Sequence, residues 1–263
     1  MHTTDPLSGR HGDGAGVGIG EQALIRAVVP EPAVAVDVRG ELPDAGLFPA
    51  EQAAISRAVA TRQQEFTTAR ACAREALRRL GIPPVEIGTG AKGEPQWPEG
   101  IVGSITHCSG YRGAVVARAS QITAIGIDTE PNKPMPDGVL DAVSLPDERA
   151  WIARLAEDEP EVAWDRLLFC AKEAVYKTWY PIARRWLGFE EALVSVDPAA
   201  GTFEARLTAT GPDVHGVPLT GFSGRWAVRE ALIMTAIVLH EPKDAQGDGA
   251  FPPVTESECT PSE

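Results

Sequence analysis

Residues 101–130 read IVGSITHCSGYRGAVVARASQITAIGIDTE. Three short runs within it, IVGSITH, YRGAVVAR and ITAIGIDTE, have the apolar, β-branched character of strands. A long helical pattern precedes them. Two further helical patterns follow, at about 146–157 and 164–180, and then four more strand-like runs: FEEALVSVD, TFEARLTA, GRWAVRE and ALIMTAIVLH. The last two are joined tightly enough to form a hairpin. Helix and three strands, then helix and three strands, describe an α+β chain made of two halves of similar build. The division falls near residue 120, giving an N-terminal lobe over 21–120 and a C-terminal lobe over 121–240.

Outward from that centre, PAEQAAISRAVATRQQEFTTARACAREALRRLG at 49–81 predicts one long helix, with Pro49 opening it and Gly81 just past its end. Ile55, Val59, Phe66, Ala69, Ala73, Ala76, Leu77 and Leu80 would form its inner stripe. Arg62, Arg70, Arg74 and Arg78 would form a basic stripe beside it. Residues 1–20, rich in Gly, and residues 241–263, rich in Pro, Glu, Ser and Gly, are expected to be disordered. No apolar run approaches the ~20 residues of a membrane span. The N-terminus lacks the basic and apolar regions of a secretory signal. Cys72, Cys108, Cys170 and Cys259 are scattered without a C-x-x-C pair, which suits a reducing cytoplasm and argues against a disulfide framework or zinc site. A formal net charge of −13 argues against nucleic acid as a partner. Part of that acidity lies in the C-terminal tail, where six carboxylates face Lys243 alone.

Four stretches bear on chemistry. GTGAKG at 88–93 matches a dinucleotide fingerprint in letters only, because Pro95 and Pro98 oppose the helix that should follow. The Gly-rich turn with Lys92 still suits a phosphate contact through backbone N–H groups. His107 and Cys108 are neighbours in a strand, so their side chains face opposite ways and cannot act as a dyad. In IGIDTEP, Asp128 and Glu130 lie two apart at a strand end and share a face. Like charges this close repel unless a cation sits between them, and hard oxygen ligands suit Mg²⁺. Thr129 lies between them, where only its backbone matters. Finally, FCAKEAVYKTWYP at 169–181 is apolar over most of its circumference yet carries Lys172, Glu173 and Lys177. Glu173 and Lys177 stand at i, i+4, a pairing that contributes only ~0.2–0.5 kcal/mol when exposed. A third carboxylate for the cation and an ammonium for a phosphate account for both charges.

GSITHCSGY, IGIDTEP and FCAKEAVYKTWYP together resemble the signature blocks of the 4′-phosphopantetheinyl transferases of the two-lobed type that activates surfactin synthetase and enterobactin synthase. RQQEFTTARACAREAL and KGEPQWP resemble upstream blocks of the enterobactin-type subgroup, so the likeness spans roughly residues 50–240, close to mycobacterial members that activate polyketide and siderophore carriers. The resemblance implies pseudo-twofold lobes in one chain with the active site at their interface. It implies transfer of the phosphopantetheine arm of coenzyme A to a serine of an apo carrier protein, releasing adenosine 3′,5′-bisphosphate.

By the same resemblance, Asp128, Glu130 and Glu173 match the Mg²⁺ carboxylates, with Mn²⁺ a substitute metal. Glu173 also matches the group that takes the serine proton, and Lys177 matches a pyrophosphate contact. Arg62, Arg70, Lys92, Thr106 and His107 match coenzyme A contacts, as do Gly93, Glu94 and Pro95 of the turn, Asp128, and Leu187. The implied partners are coenzyme A and apo acyl or peptidyl carriers of polyketide, nonribosomal peptide or fatty acid synthases, with no nucleic acid and no membrane. A cytoplasmic monomer is expected. Carriers are acidic around their serine, and YPIARRWLGF at 180–189 offers Arg184 and Arg185 beside Trp186, Leu187 and Phe189 as a surface for them. Two other classes share parts of this pattern: a Mg²⁺-dependent phosphotransferase acting on a nucleoside triphosphate, and a non-catalytic carrier-binding module.

Overall fold

The structure, a computed structural model, describes Gly20 and residues 23–240. The extension expected to be disordered at 1–20, Gly20 apart, and the tail at 241–263 lie outside the described residues. The stretch 101–131 forms three strands: β4 (Ile101–Cys108), β5 (Tyr111–Arg118) and β6 (Ile122–Pro131). The first two make a hairpin around Gly110, whose φ of 75° supplies the left-handed turn.

The count of three strands in each half is corrected, while the division near residue 120 leaves Ile122–Pro131 in the C-terminal lobe with the sheet it joins. β4 and β5 join β1 (Val34–Arg39) in an antiparallel sheet of order β1-β5-β4. β6 instead is an edge strand of a second antiparallel sheet of order β6-β12-β11-β8-β7. That sheet is built with β7 (Ala192–Asp197), β8 (Thr202–Leu207), β11 (Gly221–Arg229) and β12 (Leu232–His240). The largely apolar β12 pairs with β6 along its length, from Ile122 to Pro131. Strand β1, which no reading of the sequence singled out, takes the place left in the first sheet. Two short hairpins, β2 (Gly88–Thr89) with β3 (Pro95–Gln96) and β9 (Asp213–Val214) with β10 (Val217–Pro218), complete the strands.

The helix expected over 49–81 is two helices, α1 (Pro49–Ile55) and α2 (Ala60–Arg79). The Ser56 hydroxyl donates to the Ala53 carbonyl (2.9 Å) and competes with helix continuation. The Gln63 amide then donates to the Ala58 carbonyl (2.8 Å) at the break. Val59 caps α2 and is 74% exposed, so it leaves the inner stripe to which its spacing assigned it. Pro49 and Gly81, with φ of 79°, mark the outer ends as expected. Further along come α3 (Val139–Val143), α4 (Pro146–Asp158) and α5 (Trp164–Ala183).

Helix α2 packs on the first sheet through Cys72, Ala73, Ala76 and Leu77, against Val36, Val38, Ala114 and Val116. Helix α5 packs on the second through Leu167, Ala171, Ala174 and Val175, against Val194, Phe203, Ile233 and Ile237. A third core, including Tyr111, Val115, Ile125, Ile127 and Met234 together with Ile25 and Val28, joins the two sheets.

The lobes repeat one local device. Phe48-Pro49-Ala50-Glu51 and Leu145-Pro146-Asp147-Glu148 each start a helix with Pro in the first turn and a buried Glu at its third position. Glu51 accepts the N–H groups of Phe48 and Ile87 (both 2.9 Å) and two bonds from Arg74 (3.0 and 2.8 Å). Glu148 accepts the N–H groups of Leu145 (2.6 Å) and Val194 (2.8 Å) and the Lys172 ammonium (2.7 Å). A buried ion costs several kcal/mol unless its lone pairs are satisfied, and here they are. Lys172 is therefore a structural cation, and Arg74 is its counterpart in the other lobe.

Candidate active site

The two sheets meet edge to edge at β4 and β6. Edge strands leave N–H groups unpaired, and here hydroxyls of β4 take them up. Ser104 Oγ accepts the Ile127 N–H (3.1 Å), and Thr106 Oγ1 accepts the Thr129 N–H (2.9 Å). Across the same junction Thr106 donates to Asp128 Oδ1 (3.2 Å). Helix α5 lies close on the other side of β6, because Gly126 has no Cβ to meet the Ala174 carbonyl and the Thr178 side chain.

That approach brings Lys177 to Asp128. Its ammonium donates to Asp128 Oδ1 (2.7 Å) and to the Ile127 carbonyl (3.1 Å). The i, i+4 spacing of Glu173 and Lys177 does not join them in a helix pair, because the buried carboxylate of Asp128 on β6 takes the ammonium. Burial opposes the Lys177 charge, but Asp128 outweighs it and raises the ammonium pKa. Glu173 is half-buried and carries no hydrogen bond among the described residues. Burial raises its carboxyl pKa, Lys177 pulls it down, and Asp128 adds to the rise. Glu130, on the Asp128 face of β6, is paired with Arg166 (3.2 Å), and its pKa is raised by burial and then by Asp128.

The second oxygen of Asp128 is buried and has no hydrogen-bond partner. A buried, orphaned carboxylate oxygen, on an acid whose charge is felt by both Glu130 and Glu173, fits a cation. Among the described residues no three acidic, imidazole or thiol groups stand close enough to enclose a metal ion by themselves. The donor set therefore suits a metal that completes its shell with water and ligand oxygens, as Mg²⁺ does.

A cleft of about 930 Å³ runs from this junction along α2 and β4. Arg62, Arg70, Thr106, His107, Glu173 and Lys177 line it, as do Lys92, Gly93, Glu94 and Pro95 of the β2–β3 hairpin. The four-arginine stripe expected on α2 is divided by the structure. Arg70 is buried over the Phe66 ring, its Nη2 bonded to the Thr89 hydroxyl (3.0 Å) and its Nε without a partner. Burial lowers its pKa to about 10. Arg74 belongs to Glu51, and Arg78 pairs with Glu75 at the surface. Arg62 donates to His107 Nε2, which is then the unprotonated acceptor. Burial lowers the His107 pKa, and Arg62 and Lys177 add to the effect while Glu65 opposes it. His107 and Cys108 do face apart, and burial pushes the Cys108 thiol up to about 12.

Leu187 is not in this cleft. It lines a smaller pocket of about 150 Å³ with Tyr176, Trp186 and Phe189, which opens on Glu173. The surface expected over 184–189 is also divided. Arg185 stacks on Trp179 (4.8 Å) and donates to the Thr210 carbonyl, and Leu187 is buried. Arg184, 68% exposed, and Trp186, 63% exposed, face outward. Sequence reasoning missed Ser104, Arg166 and Tyr176. The Ser-x-Thr spacing of 104–106 was the available signal for the first, since i and i+2 of a strand share a face.

Residues 50–117 match the family model of the 4′-phosphopantetheinyl transferase N-terminal domain, and residues 124–217 match that of the 4′-phosphopantetheinyl transferase superfamily. The chain is 52% identical over 230 residues to the 4′-phosphopantetheinyl transferase Svp of Streptomyces mobaraensis, covering 86% of this chain and 94% of that protein. It is 47% identical over 221 residues to the 4′-phosphopantetheinyl transferase PptT of Mycobacterium tuberculosis, covering 82% and 96%. Enterobactin synthase component D of Salmonella typhi is similar over a shorter span, 34% over 118 residues, or 45% of this chain and 48% of that protein.

Proposed function

The chain belongs to the 4′-phosphopantetheinyl transferase family, and from that premise we propose which of its residues carry the reaction. It transfers the phosphopantetheine arm of coenzyme A to carrier proteins. The serine oxygen attacks the phosphorus that bears pantetheine, the bond to the second phosphate breaks, and adenosine 3′,5′-bisphosphate leaves. In such a transfer the protein mainly positions groups and neutralises phosphate charge.

Glu173 takes the serine proton. Its lack of any hydrogen bond and its raised pKa support that role, since a base works best with a pKa near the operating pH. Lys177 turns its ammonium towards the pyrophosphate. Arg62 and His107 receive the 3′-phosphate, and the unpaired Nε of the buried Arg70 offers a further donor to the anion. Lys92 and the backbone of Gly93, Glu94 and Pro95 close over the nucleotide, and the apolar pocket at Leu187 takes the pantetheine arm. Asp128 and Glu130, with Glu173 nearby, would hold Mg²⁺, or Mn²⁺ in its place. The metal, when bound, neutralises charge on the pyrophosphate oxygens. On this reading the lobe at 21–120 mainly holds the nucleotide, and the lobe at 121–240 carries the acids and the catalytic helix. Polyketide, nonribosomal peptide and fatty acid carriers are the acceptors proposed. Free thiols at Cys72, Cys108 and Cys170 and the pairing of both lobes in one chain support a cytoplasmic monomer. No helix among the described residues is long and apolar enough to cross a membrane.

The buried, unpartnered oxygen of Asp128 beside the free Glu173 carries this reading. Chelation should abolish transfer, and Mg²⁺ should restore it. Added Mg²⁺ should also raise the melting temperature at neutral pH, by relieving the repulsion among the three acids. Asp128→Ala should stay folded, lose transfer and lose the Mg²⁺-dependent rise in melting temperature. Near-normal transfer by Asp128→Ala at low Mg²⁺ would show that the acid does not hold the metal. A nucleoside triphosphate accepted in place of coenzyme A would favour the phosphotransferase alternative.

A further inference from the structure

We infer that Thr106 is a positioning residue for the metal ligand Asp128, and that the hydroxyl contact between β4 and β6 couples the lobe that holds the nucleotide to the lobe that holds the acids. This rests on the assignment of Asp128 as a metal ligand made above. Resemblance alone gives Thr106 a different role, direct contact with coenzyme A.

Thr106 Oγ1 is buried, at 2% residue exposure, and its hydrogen bonds are already committed within the protein. It accepts the Thr129 N–H (2.9 Å) and spends its single proton on Asp128 Oδ1 (3.2 Å). A hydroxyl has one proton to give, so no donor remains for a phosphate. The same Asp128 oxygen takes Lys177 (2.7 Å), which leaves Oδ2 as the oxygen without a partner. Thr106 and Lys177 together thus fix which carboxylate oxygen is free. Lys177 faces the cleft and is drawn away when phosphate arrives. Thr106 has no such alternative and holds the carboxylate throughout. Because His107 follows directly on β4, a shift of β4 on nucleotide binding reaches Asp128 through one hydrogen bond.

Ser104 provides the internal comparison. It is buried at 4%, sits two residues earlier on the same face, and accepts the Ile127 N–H (3.1 Å). It supports the same junction without touching Asp128.

The test measures Mn²⁺ binding by electron paramagnetic resonance on the full chain, with and without coenzyme A. Coenzyme A binding in EDTA and thermal melts accompany it. The proteins are wild type, Thr106→Val, Thr106→Ser, Ser104→Ala and Asp128→Ala. Thr106→Val and Ser104→Ala should both lower the melting temperature, since each strands a backbone N–H of β6. Only Thr106→Val should weaken Mn²⁺, by about tenfold or more, the range for losing a hydrogen bond to a charged group. Thr106→Ser should restore it. Coenzyme A affinity in EDTA should be the same in wild type and Thr106→Val. A fall in that metal-free affinity would make Thr106 a direct contact and overturn the inference. Equal loss of Mn²⁺ in Thr106→Val and Ser104→Ala would also overturn it, reducing Thr106 to general support of the junction. Mn²⁺ bound alike by wild type and Asp128→Ala would remove the metal site itself, a failure distinct from the other two.

Discussion

His107 accepts a hydrogen bond from Arg62 in the structure and is held neutral by burial and by two nearby cations. A phosphate arriving between them reverses that balance, because an anion favours the imidazolium. Binding of coenzyme A should therefore take up a proton at His107 and weaken as pH rises through the bound-state pKa. Dephospho-coenzyme A should show no such trend. Comparing kcat/KM for both donors across pH, in wild type and His107→Ala, checks this. In the variant the preference for coenzyme A should shrink by roughly 10- to 150-fold, the range for one charge-assisted bond. Equal loss for both donors with a lower melting temperature would make His107 a core residue. The ligand-free protein gives the opposite sign. Its folded pKa lies below the unfolded value of about 6.5, so this contribution to stability is present above that pH and lost as pH falls towards the folded value. At this scale the sequence showed which residues carry charge but not which charges meet. Lys172, Glu173 and Lys177 lie on one helix, yet one is bound to Glu148, one is free and one reaches Asp128. Those partners come from α4 and β6, at sequence distances no local spacing encodes.

Between elements, the distance from α5 to β6 decides whether Lys177 and Glu173 can serve Asp128. Gly126 sets that distance. A Cβ there would overlap the Ala174 carbonyl and the Thr178 hydroxyl and stand 2.8 Å from the Thr178 nitrogen. Backbone on both sides cannot yield as a flexible side chain can. Gly126→Ala should push α5 outward, cost about 1–3 kcal/mol of stability as overpacking does, and lower kcat more than it raises KM for coenzyme A. Unchanged melting temperature and kcat would show that the helix has room to spare. The elements themselves were largely readable: α4, α5 and the four C-terminal strands fall where periodicity put them, within a few residues. The break after Ile55 was not, because Ser56 and Gln63 act through side-chain bonds to backbone rather than through hydrophobic spacing. The repeated Pro-x-Glu starts at 49–51 and 146–148, with Ala-Arg-Glu-Ala at 73–76 and Ala-Lys-Glu-Ala at 171–174, were present in the sequence as a direct mark of two like lobes.

As a whole the molecule is acidic, with a formal charge of −13, and the carriers that the family resemblance implies are acidic around their serine. Encounter then depends on a local patch rather than on net charge. Of the patch expected at 184–189, Arg184 and Trp186 remain outward-facing, and they stand at the end of α5 beside the pocket that opens on Glu173. Arg184 also lines the cleft and stands 3.6 Å from Glu94, so Arg184→Glu should raise KM for the carrier more than it weakens coenzyme A, and added salt should mimic the carrier effect by screening the encounter. An unchanged carrier KM would place docking elsewhere. The two-lobed plan and the place of Ile122–Pro131 in the second lobe were legible from the order of helices and strands, but the pairing of β6 with β12 was not, since pairing partners are chosen by the whole fold. That pairing is what puts Asp128 at the junction, with Thr106 on one side and Lys177 on the other. The central claim is that this junction transfers a phosphopantetheine arm with Glu173 as base. The direct measurement is the intact mass of an apo carrier protein over time, after mixing with coenzyme A, Mg²⁺ and either wild type or Glu173→Gln. Wild type should add the mass of one phosphopantetheine arm, and the variant should do so about 10²–10⁴ times more slowly while still binding coenzyme A. No added mass with wild type, or equal rates for the two proteins, would contradict the account.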